Sequence, residues 1–245
     1  MGFYDRPYSR RPYGQPTVVG AMRMWSVTTW LIVINVAVYV VNALTRDPSN
    51  GYFGLLYLWG YFSAEMAIYR LELWRFITFQ FLHAGVQHIL FNMISLYFFG
   101  PIIEGYLGAR RYLAFYLLCG AAGGALYLIL WQIGILQGGP STPLVGASAG
   151  IFGILVAAAR VAPDTTVMLL FPPIPLRLRV LALILLGIAV WVVFSNGANA
   201  GGQAAHLGGA ALGALLIWRP QWLNFFDRWP WRRGRRRRFF MDDRW

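Results

Sequence analysis

The chain has 245 residues, a formal net charge of +12 and a mean hydropathy of +0.52, and only 12% of its residues are charged. That charged fraction is about half the usual value for a soluble domain, and the apolar residues form long segments, which together indicate a multi-span helical membrane protein. All 21 basic residues are arginines, many of which flank apolar segments, so the positive charge favours anionic lipid headgroups over nucleic acid as its partner.

The first predicted element is a polar arm at residues 1–24. It contains prolines and arginines but no apolar core of a signal peptide, so we expect a cytoplasmic arm and no cleavable signal. Residues 25–44 are apolar over the roughly 20 residues that a bilayer requires, and they predict a first span that is retained as a signal anchor. Residues 52–76 mix aromatic and charged side chains, which favours an interfacial first outer loop with helices in the headgroup layer.

Five further spans are predicted, at residues 77–99, 112–135, 144–161, 178–194 and 203–218. The last three approach the lower length limit of a span, so we expect a locally thinned bilayer or shielding by neighbouring helices. Both termini are rich in arginine, which predicts that both are cytoplasmic and that the number of spans is even, as six is. The predicted organisation is an arm at 1–24, a six-helix membrane core at 25–220 and a basic, aromatic cytoplasmic tail at 221–245.

The polar residues of the spans converge in this topology. Even-numbered spans enter the membrane from the outer side, and His83 and His88 lie in the first half of the second span. Ser148 lies near the start of the fourth span and His206 near the start of the sixth. We therefore expect all four at a similar depth toward the outer face. Polar residues within spans are costly, which makes these four candidates for function.

Ser148 lies among the small residues Gly146, Ala147, Ala149 and Gly150, which leave space for another backbone or for a substrate. A lone serine in a span is usually a helix-packing residue. At the start of a helix, however, unpaired amides and the positive end of the helix dipole provide donors for an oxyanion.

His206 has two interpretations, a buried histidine with a satisfied hydrogen bond or a general base. Gly209 and Gly213 follow it at a spacing that forms a small-residue face, and Gly146 and Gly150 form another on the fourth span. Two such faces allow close packing, which would bring His206 into hydrogen-bond reach of Ser148 in the relation of base to nucleophile.

His88 and Asn92 are four residues apart, so they share one face of a helix, and both side chains donate hydrogen bonds. The pair fits either a polar contact between helices or stabilisation of the oxygen of a tetrahedral intermediate. His83 is about 140° from His88 around a helix, so the two are not a natural metal pair, and we interpret His83 as structural.

Other intramembrane chemistries lack their residues in this sequence. There is no His-Glu-x-x-His motif of a zinc protease, and the single cysteine, Cys119, excludes an intrachain disulfide and a cysteine-based metal site. Glu104 and Asp164 fall at the cytoplasmic boundary, and no predicted span contains an aspartate. We therefore expect no metal and no cofactor, and a Ser–His dyad rather than a triad, with Phe152 stacking on the imidazole.

The chain resembles the rhomboid family of intramembrane serine proteases over residues 25–218. Three motifs carry this resemblance. They are Gly-Ala-Ser at 146–148, Ala-His-Leu-Gly-Gly at 205–209, and the group of His83, His88 and Asn92.

Three further residues and one departure bear on this resemblance. Trp74 and Arg75 are similar to the family's Trp-Arg pair in the first outer loop, and Glu104 is similar to its glutamate at the cytoplasmic end. Many members have glycine directly after the serine, where this chain has Ala149. We expect the methyl group of Ala149 to narrow the space beside the nucleophile.

The resemblance implies a six-transmembrane-helix rhomboid bundle that cleaves transmembrane helices near the outer membrane face. Ser148 is the implied nucleophile, His206 the implied general base, and His88, Asn92 and the Ser148 amide the implied oxyanion hole. A substrate helix must unwind locally before attack, because its backbone is hydrogen-bonded internally. We expect lateral entry past the fifth span and the first loop, with the candidate gate residues Trp191 and Phe194.

Two other functions stay open at this point. A catalytically inactive rhomboid-like protein that binds membrane helices would be expected to lack Ser148 or His206, and both are present. A transporter or channel would be expected to have a charged or repeated pathway, whereas the polar residues here stop in the outer half. We therefore expect a multi-pass enzyme of the cell inner membrane or plasma membrane, with transmembrane proteins as substrates, membrane lipids as neighbours and no nucleic-acid partner.

Overall fold

The computed structural model describes residues 25–46, 54–168 and 173–227. The predicted arm at 1–24 and residues 228–245 of the predicted tail lie outside the described residues. The helices are α1 (Val27–Leu44), α2 (Leu55–Gly60), α3 (Arg75–Thr78), α4 (Val86–Leu107), α5 (Ala109–Gln132), α6 (Ser148–Val161), α7 (Leu178–Phe194) and α8 (Ala200–Trp218). Shorter helical turns are a π-helical turn at Glu65–Tyr69 and 3₁₀ segments at Phe79–Phe81 and Pro220–Asp227.

Two short strands interrupt the helices. Strand β1 (Thr166–Met168) pairs with β2 (Pro175–Arg177) in an antiparallel hairpin, with Thr166 opposite Arg177. Both strands lie in the connection between the predicted fourth and fifth spans. The hairpin is small, so the described chain keeps the predicted all-α class.

Four of the described helices, α1, α4, α5 and α8, are long and apolar enough to cross a membrane. Their most apolar segments have mean hydropathies of 1.9, 1.4, 2.0 and 1.2, in chain order. Helices α6 and α7 are apolar but shorter, with 14 and 17 residues. The described chain is therefore a helical multi-pass membrane protein, and the count of six spans stays a prediction.

The predicted second span, at 77–99, has wrong boundaries. Residues 75–85 form α3, a 3₁₀ turn and a loop, and α4 begins only at Val86. It then continues through Pro101 to Leu107, beyond the predicted end at residue 99. A proline inside a helix costs about 3 kcal/mol. Continuation of α4 buries apolar side chains such as Ile103 in the core, which offsets this cost.

The other predicted boundaries differ less. Helix α7 agrees with the predicted fifth span, whereas α5 and α8 begin at Ala109 and Ala200, not at 112 and 203. Helix α6 begins at Ser148, not at residue 144, because two features keep the preceding residues out of the helix. Leu144 exchanges backbone hydrogen bonds with Phe62, and Gly146 has a φ of +134°.

Helix α8 lies in the centre of the bundle and packs most extensively against α5 and α6. A side chain at Gly209 would collide with the backbone oxygen of Ala149, and a Cβ at Gly213 would lie 2.6 Å from the Cα of Gly153. The small-residue face at Gly209 and Gly213 is therefore present, but its partners are Ala149 and Gly153. The partners predicted on the fourth span were wrong.

The prediction was wrong because Gly146 and Gly150 do not lie on the side of α6 that faces α8. Gly150 faces α5, where a Cβ would lie 2.7 Å from a ring carbon of Tyr116. Gly146 precedes the helix and lies beside His88. Sequence spacing gives the separation of two residues around a helix, but it does not give the neighbour that each one faces.

A carboxylate fixes the start of α1 at the end of the bundle remote from Ser148. Glu104 of α4 accepts hydrogen bonds from the amides of Val27 and Thr28, at 2.7 and 2.9 Å, and from the Thr28 hydroxyl at 2.8 Å. These amides belong to the first turn of a helix, where no intrahelical acceptor exists. Glu104 therefore acts as a helix cap supplied by another helix.

The first residues of the predicted tail pack on the bundle. Within the 3₁₀ segment Pro220–Asp227, Leu223 is buried. Asp227 forms an ion pair of 2.6 Å with Arg111 of α5. The 3₁₀ segment Pro220–Asp227 therefore packs against the membrane core.

Candidate active site

Ser148 is the first residue of α6, and it lies directly beside α8. Its hydroxyl oxygen is 2.7 Å from Nε2 of His206, in hydrogen-bond contact. The amides of the first turn of α6 lack intrahelical acceptors and carry the positive end of the helix dipole. The serine hydroxyl is thus placed next to both a basic nitrogen and a group of backbone donors.

Gly146 makes room for this arrangement. Its φ of +134° lies in the region that favours glycine, and a Cβ there would lie 2.7 Å from Nε2 of His88. The same position is 3.4 Å from the Ser148 hydroxyl oxygen. His88 and Ser148 therefore border one small space over Gly146, which a larger residue would fill.

Two side chains hold the His206 imidazole. The ring of Phe152, one turn after Ser148, stacks on it with centroids 4.1 Å apart and planes at 10°. On the opposite edge of the ring from Ser148, Nδ1 lies 2.9 Å from Oε1 of Gln203. Sequence reasoning missed Gln203, although a residue three positions before His206 on the same helix face is a natural partner.

His88 and Asn92 of α4 both line the space in front of Ser148. The Ala84 amide donates to Nδ1 of His88 at 3.4 Å, which leaves the proton of a neutral ring on Nε2, the nitrogen that faces Gly146. Asn92 is buried, and its Nδ2 has no acceptor among the described residues. Two donors are thus available beside the serine.

His83 lies behind His88 and not in the cavity. Its ring is in edge contact with that of His88, with centroids 5.0 Å apart, and only 3% of the residue is exposed. Within the part of the chain that the structure describes, no group of three or more histidine, cysteine, aspartate or glutamate side chains could hold a metal ion.

A cavity of about 680 Å³ contains the serine and the histidine. This volume is in the usual range for ligand pockets. Its titratable lining groups are Tyr57, His88 and His206, and the described lining includes no carboxylate and no arginine. The cavity can therefore accept an uncharged, partly extended peptide segment without burying an unpaired charge.

Residues 70–220 match the family model of the rhomboid domain, which is more than half of the chain. The chain belongs to the rhomboid family. It is 31% identical over 207 residues to Rhomboid protease AarA of Providencia stuartii, a match that covers 78% of this chain and 71% of the relative.

Two further relatives match shorter segments of the chain. The chain is 33% identical over 151 residues to RHOMBOID-like protein 12, mitochondrial, of Arabidopsis thaliana, which covers 57% of this chain and 44% of that protein. It is 28% identical over 140 residues to Putative rhomboid protease YdcA of Bacillus subtilis, which covers 54% of this chain and 61% of the relative. The chain thus spans less than half the length of the Arabidopsis relative.

In this rhomboid, Arg75 ties together the loop between α1 and α4. It is buried, and its guanidinium donates to Glu72 at 2.5 Å and to the backbone oxygens of Tyr61 and Leu58 at 2.6 and 3.1 Å. The neighbouring Trp74 is half exposed, and its indole nitrogen donates to the Trp59 oxygen at 3.3 Å. The loop is therefore folded around one buried arginine.

The same loop contacts the segment that precedes Ser148. Phe62 and Leu144 exchange backbone hydrogen bonds of 3.0 and 2.7 Å, and the Gly146 amide donates to the Phe79 oxygen at 3.0 Å. These bonds hold residues 144–146 in a non-helical conformation up to the first turn of α6. The position of the serine thus depends on the fold of the first loop.

Ala149 is the residue whose methyl group was expected to narrow the space beside the nucleophile. Its methyl group lies between α6 and α5, where a Cβ on Gly123 would come within 2.6 Å of it. The residue is 1% exposed. Glycine at 123 provides the space that the Ala149 methyl occupies.

The two candidate gate residues lie outside the cavity. Trp191 and Phe194 of α7 are 74% and 72% exposed, and neither lines the cavity around Ser148. They face away from the described bundle, as lipid-facing residues do.

Proposed function

We propose that this rhomboid is an intramembrane serine endopeptidase that cleaves transmembrane helices with a Ser–His dyad. The observation that carries the proposal is the 2.7 Å contact between the Ser148 hydroxyl and Nε2 of His206, inside a cavity large enough for a peptide. A nucleophile in hydrogen-bond contact with its base is the geometry that activates a serine.

In the proposed reaction, Nε2 of His206 takes the Ser148 proton as the serine oxygen attacks the scissile carbonyl carbon. The resulting imidazolium gives that proton to the leaving amine when the peptide C–N bond breaks, which leaves an acyl ester on Ser148. Water then attacks the ester and gives its proton to His206. The carboxylic acid product leaves, and the proton returns to the serine oxygen.

The developing oxyanion would be stabilised by the Nε2–H of His88, the Nδ2 of Asn92 and the Ser148 amide. Asn92 supports this assignment, because it lines the cavity and its buried amide nitrogen has no acceptor within the described residues. Each donor of such a hole is typically worth about 10²–10³-fold in kcat.

The proposed topology has six spans, with both termini in the cytoplasm and Ser148 toward the extracytoplasmic side of a cell inner or plasma membrane. Helix α6 has 14 residues, which gives a length of about 21 Å against roughly 30 Å of hydrocarbon. Such a helix recesses the serine below the membrane surface, within reach of water from one side. Substrate helices would enter between α7 and the first loop, past Trp191 and Phe194.

The test is cleavage of a single-span substrate by the purified protein in liposomes. We expect cleavage near the extracytoplasmic end of the substrate helix and none by Ser148→Ala. The matched control is Ser195→Ala, an exposed serine after α7. Undiminished cleavage by Ser148→Ala would exclude the assignment, and substrate binding without cleavage by the wild type would indicate a helix-binding protein.

A further inference from the structure

The side chain of Gln203 occupies the place of a third residue beside the dyad. It lies in the first turns of α8, one helical turn before His206, with Oε1 2.9 Å from Nδ1 of the imidazole. An amide oxygen only accepts hydrogen bonds, so Nδ1 must be the donor in this contact. A neutral imidazole with its proton on Nδ1 has its lone pair on Nε2, where the Ser148 hydroxyl donates.

The other neighbours of His206 do not provide this function. Phe152 stacks on the face of the ring and has no hydrogen-bonding atom, and Ser148 contacts the other nitrogen. The titratable groups that share the cavity are Tyr57 and His88, and neither is hydrogen-bonded to Nδ1 within the described residues. No carboxylate lines the described cavity.

We propose that Gln203 is a positioning residue that fixes the tautomer and orientation of His206, a role that deepens the proposed protease function and depends on it. A carboxylate at this place would do the same and would also stabilise the imidazolium, but it would leave a charge in a low-dielectric site. An amide orients the ring without that charge. Gln203 is thus an uncharged third residue beside the Ser–His dyad.

The tautomer gives a test that does not depend on proteolysis. The chain has only three histidines, so a ¹⁵N-histidine spectrum contains three imidazoles, and His206 is identified by its loss in a His206 variant. We expect the Nδ1–H tautomer for neutral His206 in the wild type. In Gln203→Met, which has a similar length but no acceptor, we expect a mixture of tautomers. An unchanged tautomer in Gln203→Met would overturn the proposal.

The kinetic test uses the same variant with a matched control. We expect Gln203→Met to lower kcat by about 10–100-fold with KM changed little, because orientation of the base matters in the transition state and not in substrate binding. The control is Gln221→Met, an exposed glutamine in the 3₁₀ segment after α8. Wild-type kcat in Gln203→Met would contradict the proposal. Absence of cleavage by the wild type would instead reject the proposed function, and the tautomer measurement would still stand.

A second variant separates orientation from simple packing. Gln203→Glu keeps the acceptor and the length, so we expect it to preserve the Nδ1–H tautomer and to exceed Gln203→Met in kcat. Because its carboxylate stabilises the imidazolium, the acidic limb of the pH–rate profile should move to higher pH. A Gln203→Glu enzyme no more active than Gln203→Met at any pH would contradict a positioning role.

Discussion

The Ser148 hydroxyl lies 2.7 Å from Nε2 of His206, although the two residues are 58 positions apart in the chain. Helices α6 and α8 achieve this contact because glycines remove the side chains between them. Gly209 lies against Ala149 and Gly213 against Gly153. The catalytic proposal therefore depends on helix packing as much as on the two reacting groups.

The first prediction concerns this packing. Gly209→Ala should force α8 away from α6, because its methyl group would collide with the Ala149 backbone. We expect a loss of about 1–3 kcal/mol of stability and a large loss of cleavage, measured by thermal unfolding and substrate turnover. Gly187→Ala on α7 is the control, since a Cβ there meets nothing within 4 Å. Equal behaviour of the two variants would contradict the packing argument.

The second prediction concerns the oxyanion. Asn92→Ala should lower kcat by about 10²–10³-fold with little change in KM, because its Nδ2 is expected to bond only the developing oxyanion. Asn224→Ala, an exposed asparagine in the 3₁₀ segment after α8, is the control. A variant with reduced substrate affinity and normal kcat would show that Asn92 binds the ground state instead.

The third prediction concerns the first loop. Arg75→Met removes three hydrogen bonds from a buried guanidinium and leaves Glu72 unpaired, so we expect a loss of about 3–5 kcal/mol and lower activity. Arg70→Met is the matched control, because that arginine is exposed and a surface ion pair such as Arg70–Glu65 contributes little to stability. Thermal unfolding measures both variants. If Arg75→Met were as stable as Arg70→Met, the loop would not depend on this residue.

The fourth prediction concerns the contact between the first loop and the α5–α6 loop. The Ser141 hydroxyl donates to Glu65 and, together with the charge of Arg70, holds the pKa of that carboxyl below its ordinary value. A lowered folded pKa means that this contribution is present above the ordinary glutamate pKa and is lost as the pH falls through the folded value. Ser141→Ala should raise the Glu65 pKa, measured by ¹³C NMR titration, whereas Ser195→Ala should not. An unchanged titration in Ser141→Ala would contradict the contact.

Much of this arrangement could be predicted from the sequence, because it depends on residue types that are costly in a membrane. Histidine, asparagine and serine stand out among apolar residues, and the small residues around Ser148 and His206 indicate close helix packing. The helix class and the glycine face of α8 follow from the same patterns.

Other features could not be predicted, because they depend on tertiary contacts that the sequence pattern does not show. Pro101 reads as a helix end, yet burial of the following side chains keeps α4 helical. Gly150 reads as a partner of α8, yet it faces Tyr116. Gln203 is polar in the first turns of a helix, where polar residues are common, so only its distance to His206 marks it.

The most direct test of the central claim is covalent labelling by a fluorophosphonate, followed by mass spectrometry of the modified peptide. A serine activated by a neighbouring base should react, and the adduct should map to Ser148. Labelling should be lost in both Ser148→Ala and His206→Ala, whereas the wild type and the control variant Ser195→Ala should keep it. An adduct on another serine, or labelling of Ser148 that persists at the wild-type rate in His206→Ala, would contradict the dyad.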